Sequence, residues 1–79
     1  STNEQEVDLI LGDHTAIEFK ATQNVSPKNM KGLLAIAEEK KWKNLILVSQ
    51  DKIEKKTENI QCIQWETFLQ NLWNGSYNI

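Results

Sequence analysis

Asp8, Glu18 and Lys20 are the three charged side chains of this sequence that point most directly to a reaction. They lie in two short apolar-rich runs near the start of the chain, and pairing of those runs would bring all three to one face. Two carboxylates beside an ammonium group predict a site for Mg²⁺ or Mn²⁺, because such ions bind one or two carboxylates and keep several waters. A metal site of this kind would suit hydrolysis of a phosphodiester bond.

A tight hairpin is predicted to carry these side chains. Residues 6–11 and 16–20 show a period of two, which is typical of half-buried strands. The alternating apolar residues are Val7, Leu9 and Leu11 in the first run and Ile17 and Phe19 in the second. Between them, Gly12 tolerates a positive φ and Asp13 can hydrogen-bond its own backbone, so residues 12–14 form a suitable loop. The two runs are therefore expected to pair as antiparallel strands.

The length of the loop sets the expected register of the hairpin. A three-residue loop places Leu11 opposite Thr15, and counting outward then places Asp8 opposite Glu18. Directly opposed Cβ atoms lie roughly 4.5–5.5 Å apart, and Lys20 shares the same face roughly 6–7 Å from Glu18. Because like charges opposed across a ladder are destabilising, the two carboxylates require a compensating cation.

The same pattern also fits a charged strand face that is simply solvated. In that interpretation Lys20 pairs with Glu18 as a surface ion pair worth ~0–1 kcal/mol. Register is decisive, since a slip of one residue would move the charged side chains to the other face.

A helix is predicted from about residue 27 to residue 41. Ser26 is a suitable N-cap and Pro27 suits the first helical position. Lys40 and Lys41 would suit the negative end of the helix dipole in the last turn. One apolar stripe follows at helical spacing: Met30, Leu33, Leu34 and Ala37.

The second half of the chain predicts two more strands and a closing helix. The continuous apolar run 45–48 is typical of a strand buried on both faces. Residues 50–59 form a charged loop, 60–63 a short strand and 65–73 an amphipathic helix. The fold class is therefore α/β: a β-hairpin followed by a βαβ unit, in a mixed sheet flanked by two helices.

Five other side chains have a structural interpretation beside a functional one. Cys62 is expected to be a buried strand thiol rather than a nucleophile, and His14 a solvated turn residue rather than a metal ligand. Trp65 could stack on a base, but its place on the apolar stripe favours the core. Trp42 and Trp73, at helix ends, are expected to staple the helices to the sheet or to a partner.

Composition limits the class of protein. The chain has 79 residues, 39% of them apolar and 25% charged, which suits one small globular domain. No apolar run approaches the ~20 residues of a membrane span. A single cysteine favours a reducing compartment, so we expect the cytoplasm. All nine basic residues are lysine and the net charge is −2, with no basic patch evident, so affinity for DNA should be weak.

The order of these segments resembles the PD-(D/E)XK nuclease superfamily, whose fold is the restriction-endonuclease-like core. The resemblance is closest to the C-terminal domain of prokaryotic AAA-type ATPases of unknown function, and it covers about residues 6–73. The matching segments are Glu6-Val7-Asp8, Ile17-Glu18-Phe19-Lys20-Ala21-Thr22, Val25-Ser26-Pro27, Lys31-Gly32-Leu33, Leu45-Ile46-Leu47-Val48-Ser49 and Trp65-Glu66-Thr67-Phe68-Leu69.

The resemblance implies roles for individual residues. Asp8 and Glu18 would bind Mg²⁺ or Mn²⁺, with the backbone carbonyl of Phe19 as a further ligand. Lys20 would orient the attacking water or help to deprotonate it. Glu6 shares the predicted face of Asp8 and would be an accessory acidic group, outside the core motif.

The chain also departs from the superfamily pattern. That core begins with a helix and a strand before the Asp-bearing strand, and five polar residues cannot supply them. We therefore expect residues 1–5 to be a disordered or tag-like N-terminus, residues 6–75 a partial, truncated nuclease-like domain and residues 76–79 a tail. The start at Ser1 without Met suggests a processed chain or a fragment.

The expected partners are DNA, an ATPase module of the same longer chain and a second copy bound through an uncovered sheet edge. The leading hypothesis is a metal-dependent nuclease-like domain that hydrolyses DNA. The alternative is an inactive interaction or regulatory domain of the same fold within an ATPase.

Overall fold

The computed structural model describes residues 7–77, which form a mixed five-stranded sheet and two helices. This confirms the predicted α/β class. Neither described helix is long and apolar enough to cross a membrane. The sheet order is β1-β2-β3-β5-β4. The elements are β1 (Leu9–Leu11), β2 (Thr15–Phe19), α1 (Lys31–Ala37), β3 (Asn44–Ser49), β4 (Lys55–Thr57), β5 (Ile60–Gln64) and α2 (Trp65–Trp73).

The predicted hairpin and its register are confirmed. β1 and β2 pair antiparallel, with Leu11 opposite Thr15 and Leu9 opposite Ile17. Gly12 and Asp13 have φ angles of 58° and 67°, and positive φ at both central positions is the signature of a type I′ turn. The turn chemistry read from the sequence therefore does set which side chains share a face.

The centre of the sheet is parallel and buried. β3 pairs parallel with β2 on one side and with β5 on the other. Since successive strand residues point to opposite faces, the apolar run of β3 contributes to two cores at once. A strand buried on both faces is what a continuous apolar run predicts.

Each face of the sheet is covered by one helix. Because the two sets of strand residues alternate along β3, α1 and α2 pack on opposite faces. The α1 side buries Ala16, Val25, Met30, Leu33, Ile36, Leu45, Leu47, Ile60 and Cys62. The α2 side buries Ile17, Ile46, Val48, Ile63, Phe68 and Tyr77.

The first helix is shorter than the sequence predicts. It begins with a 3₁₀ turn, Pro27–Met30, and α1 then ends at Ala37 instead of residue 41. The carbonyl of Ile36 accepts the N–H of Glu39 and the indole Nε1–H of Trp42, at 3.0 and 2.8 Å. These donors satisfy a carbonyl at the helix end, so the chain can turn away without losing hydrogen bonds.

A short strand was missed inside the predicted charged loop 50–59. Residues of β4, Lys55–Thr57, pair antiparallel with β5, and the turn between them places Glu58 at a positive φ of 55°. Its lysines give no apolar alternation, so the sequence pattern does not reveal a strand. Lysine on a short edge strand discourages pairing with another chain.

Candidate metal centre

Glu18 is a buried carboxylate near the carboxyl end of β2. It points to the α1 side of the sheet, in register with Leu47 of β3, and is only 4% exposed. Its Oε2 accepts from Nζ of Lys20 at 2.8 Å. Within the part of the chain that the structure describes, its Oε1 is buried without a hydrogen-bond partner. A buried acceptor left unsatisfied costs about 1–3 kcal/mol, so this oxygen marks a place where a ligand would be stabilised.

Asp8 lies in a bend just before β1, so it is outside the paired strand. The pairing of β1 with β2 ends at Leu9 and Ile17, next to Asp8 and Glu18, so the direct opposition of these two carboxylates stays a prediction. Its carboxylate is exposed, and Oδ2 accepts the backbone N–H of Phe19 at 2.7 Å. The side chain thus takes the position that a ladder carbonyl would occupy and is fixed at the edge of β2.

The backbone of Phe19 completes the arrangement. In an antiparallel ladder the N–H and C=O of one residue point to the same side. The N–H of Phe19 points to Asp8, whereas the next N–H, of Lys20, points to Val48 of β3 at 2.8 Å. The carbonyl of Phe19 therefore faces the same edge as the Asp8 carboxylate.

The residues present fit a hard divalent cation. The described residues contain no cluster of three or more His, Cys, Asp or Glu side chains with metal-binding geometry. Two carboxylates and a backbone carbonyl are nevertheless the oxygen donors that Mg²⁺ takes, since it fills the rest of its shell with water. The buried Oε1 of Glu18 is the observation that favours this fit.

A shallow pocket of about 280 Å³ opens beside this donor set, at the carboxyl ends of β2 and β3. Phe19 and Trp65, both about half exposed, form its apolar part, and Lys20 forms its charged rim. Trp65 was expected in the core and this is wrong, because α2 turns Phe68 to the sheet and leaves Trp65 at the surface. The lining is Phe19, Lys20, Ala21, Val48, Ser49, Gln50 and Trp65.

The remaining candidates separate into confirmed and corrected predictions. Cys62 is buried, and that burial raises the pKa of its thiol, which disfavours a nucleophilic thiolate. His14 lies in the turn, where its Nδ1 is 2.8 Å from Oγ1 of Thr15. Trp42 staples the end of α1, as predicted, but Trp73 is 91% exposed and does not staple α2 to the sheet.

Two predictions concern the chain ends. Glu6 and the N-terminal residues 1–5 lie outside the described residues, so the accessory role of Glu6 stays a prediction. At the other end, Tyr77 falls in the predicted tail 76–79 but packs in the second core. Its ring stacks on Phe68 with centroids 5.9 Å apart, and its hydroxyl accepts from Nδ2 of Asn71 at 3.1 Å.

A second buried carboxylate, Asp51, was missed by the sequence reasoning. Its Oδ2 accepts from the N–H of Val25 and from Nζ of Lys55, and its Oδ1 accepts from the N–H of Ile53. The two backbone donors, followed by Lys55, hold the pKa of Asp51 at about 2, below the ordinary 3.8. Its position just after the buried strand, beside Ser49, was the available signal.

A basic patch was also missed. Four of the nine lysines surround one pocket at the amino end of β3, although the overall charge is negative. The run Lys40-Lys41-Trp42-Lys43 was the signal in the sequence, and the fold adds Lys56 from β4.

Comparison with protein families identifies the stretch that holds these features. The family model described as Domain of unknown function (DUF4143) matches residues 1–68. No curated protein and no solved structure matches the chain. The matched stretch contains Asp8, Glu18 and Lys20, all five strands and α1. The family description assigns no activity, so the chemistry rests on the site itself.

Proposed function

Since this chain belongs to the DUF4143 family, whose domains are typically found at the C-terminus of AAA-type ATPases, we propose that it is a metal-dependent nuclease-like domain of such an ATPase. Its reaction would be hydrolysis of phosphodiester bonds in DNA. The observation that carries the proposal is the buried Oε1 of Glu18, which has no hydrogen-bond partner among residues 7–77, in a side chain paired with Lys20. The resemblance of Asp8…Glu18-Phe19-Lys20 to the PD-(D/E)XK motif supports the same chemistry.

Asp8, Glu18 and the Phe19 carbonyl would hold Mg²⁺ or Mn²⁺. When bound, such an ion would lower the pKa of a water and offset the negative charge that develops on the phosphate. The hydrogen bond from the Phe19 N–H keeps the Asp8 carboxylate at the strand edge, and burial restricts the rotamers of Glu18. The two carboxylates are thus pre-positioned by the hairpin.

Lys20 would act on the attacking water. Its ammonium group is 2.8 Å from Oε2 of Glu18 and its side chain is about one-third exposed, so it reaches the rim of the neighbouring pocket. Held there as an ammonium group, Lys20 can donate a hydrogen bond to the attacking water and orient it, whereas only its neutral amine form could take the proton of that water. Phe19 and Trp65 give that pocket apolar surfaces on which a base could lie.

A cation titration tests the proposed centre. Mn²⁺ should broaden the NMR signals of Asp8, Glu18 and Phe19, and the Glu18→Gln variant should lose this response at the same concentrations. A matched Glu38→Gln variant, which makes the same chemical change at an exposed carboxylate at the end of α1, should keep the response. Absence of any local response at millimolar cation would refute the proposed metal centre.

A cleavage assay then tests the chemistry. The chain should nick plasmid DNA in Mg²⁺, and Lys20→Ala should lower the rate by on the order of 10²-fold, the usual contribution of a proton-transfer group. Lys31→Ala, at the exposed start of α1, is the control and should act like the unmodified chain. Equal rates for unmodified chain and Lys20→Ala would identify a contaminating nuclease.

A second candidate function is that of a non-catalytic interaction domain within an ATPase. The observation that favours it is the outward face of α2, where four large apolar side chains are exposed. A second copy of the chain suits this face, because in a two-fold symmetric dimer the α2 face of each copy would cover the α2 face of the other. The homodimer expected through a sheet edge remains a proposal, and both edge strands offer only three residues. The exposed residues are Trp65, Leu69, Leu72 and Trp73.

Sedimentation equilibrium separates the two modes of pairing. Leu69→Ser with Trp73→Ser should dissociate a dimer formed through α2, whereas Ile10→Lys on β1 should dissociate one formed through the sheet edge. A chain that is monomeric at every concentration reached would overturn the homodimer.

A further inference from the structure

A pocket of about 410 Å³ gathers positive charge at the amino end of β3, and we call it the lysine pocket. Four lysines line it, and none of its described lining residues is acidic. In a chain of net charge −2, such a concentration of one sign creates a local positive potential. The lining is Ala37, Lys40, Lys41, Trp42, Lys43, Leu45, Lys56 and Asn59.

Trp42 is one of the lining residues of the lysine pocket and is held in place by contacts with α1 and Lys40. Its indole donates to the carbonyl of Ile36 at 2.8 Å, and Nζ of Lys40 lies 4.6 Å from the ring centroid. Lys40 also binds Asp13, through the backbone carbonyl and the carboxylate. Its charge is therefore partly neutralised.

The other three lysines of the pocket are exposed. Lys41 and Lys43 flank Trp42 in the turn after α1, and Lys56 comes from the separate β4–β5 hairpin. The acidic side chain of Glu39, which is close in sequence to these lysines, lines a different pocket that also includes Val7. The fold therefore brings together charges that are 13 or more positions apart in the sequence.

We propose that the lysine pocket binds phosphate groups of a nucleic-acid backbone, an inference that rests on the proposed function of the domain. Lysines act as compact point charges, whereas tight recognition of a small phosphate group uses arginine forks or a cradle of backbone N–H groups. The chain has no arginine, and its three glycines do not line the pocket. Several exposed lysines around an open surface suit diffuse contact with a long polyanion.

The lysine pocket and the pocket beside Lys20 are separate surfaces. Leu45, near the amino end of β3, lines the lysine pocket and belongs to the α1 face of the sheet. Val48, three residues further along β3, lines the pocket beside Lys20 and belongs to the α2 face. Binding at the lysine pocket can therefore be tested apart from the proposed metal centre.

Fluorescence anisotropy of a DNA duplex of about 20 base pairs, measured with EDTA at several salt concentrations, tests the inference. The pocket variant carries Lys43→Gln together with Lys56→Gln, and it removes two charges that are distant in the sequence but line the same pocket. Lys28→Gln with Lys31→Gln is the matched control, since both lysines are exposed, lie outside the pocket and change the net charge equally.

The pocket variant should bind about tenfold more weakly at low salt, and its slope of log K against log salt should fall by about 2. The control should retain most of the affinity and slope. Equal losses in both variants would overturn the inference, because net charge alone would then explain binding.

Binding of two other anionic ligands identifies the class of anion that the lysine pocket prefers. Tripolyphosphate that saturates the pocket well below about 1 mM would reassign it to a small phosphate compound. A glutamate polymer that binds as tightly as DNA would reassign it to an acidic peptide. Because EDTA prevents cation binding, these results do not depend on the metal centre: loss of the Mn²⁺ response would refute that centre alone.

Discussion

Two carboxylate–lysine pairs in this small domain have the same exposure but different surroundings. In Glu18–Lys20 and in Asp51–Lys55 the carboxylate side chain is 6% exposed and the lysine 37% exposed. The contact distances are 2.8 and 3.1 Å. Asp51 has a donor on each oxygen, whereas one oxygen of Glu18 is buried without a partner among the described residues.

These surroundings separate the buried charge that serves the fold from the buried charge that is available to a ligand. Asp51 accepts from Val25 and Ile53 and so ties the loop before α1 to the loop after β3. Glu18 gives the fold one ion pair and leaves an acceptor that is costly to bury. A carboxylate with a hydrogen-bond donor on each oxygen therefore holds two segments of the fold together. A carboxylate with one oxygen that lacks a donor suits a cation.

Breaking the Asp51 pair should have the largest effect on stability. In Asp51→Asn one carboxylate oxygen is replaced by an amide NH₂ group, which is a donor and would face the N–H of Val25 or Ile53. The neutral side chain also leaves Lys55 without a counter-charge. We expect Tm to fall by on the order of 10 °C in thermal unfolding followed by circular dichroism. A Tm equal to that of the unmodified chain would show that these bonds contribute little.

Lowering the pH should gradually remove the contribution of the Asp51 carboxylate to stability. The folded pKa of Asp51, about 2, lies below the ordinary 3.8, so the folded state favours the carboxylate. Its stabilisation is complete above about pH 4 and is lost as the pH falls towards 2. The Tm difference between unmodified chain and Asp51→Asn should therefore shrink across this range, and a constant difference would contradict the assignment.

Changing Glu18 should have the smallest effect on stability. In Glu18→Gln the amide oxygen can keep the hydrogen bond from Lys20, and the loss of the ion pair is offset because a neutral amide costs less to bury than a carboxylate with an unsatisfied oxygen. With EDTA present, Tm should stay within about 2 °C of the unmodified value. A fall in Tm as large as that for Asp51→Asn would show that Glu18 and Asp51 have the same structural role.

The sequence predicts the part of the site that depends on local rules. Loop chemistry at Gly12 and Asp13 sets the hairpin register, and the register pairs Leu9 with Ile17, the neighbours of Asp8 and Glu18. The buried strand β3 follows from its apolar run. These features depend on neighbours close in sequence, so periodicity and turn residues are enough to find them.

Features that depend on distant contacts could not be predicted in this way. α1 ends early because Trp42 donates to Ile36 and Lys40 turns towards Asp13. Trp65 lies at the surface because Phe68 occupies the space against the sheet. The partners of Asp51 come from two other segments, and the orphaned oxygen of Glu18 is defined only once every nearby donor has been placed.

The bond between Asp8 and the Phe19 N–H has a consequence for the motion of the edge strand. β1 is three residues long and has one neighbouring strand. A cation held by Asp8 and Glu18 would fasten this edge to the interior of the sheet, and its binding would stabilise the paired hairpin by RT ln(1 + [L]/Kd). Slower amide hydrogen exchange in β1 would then report occupancy of the site, independently of any substrate.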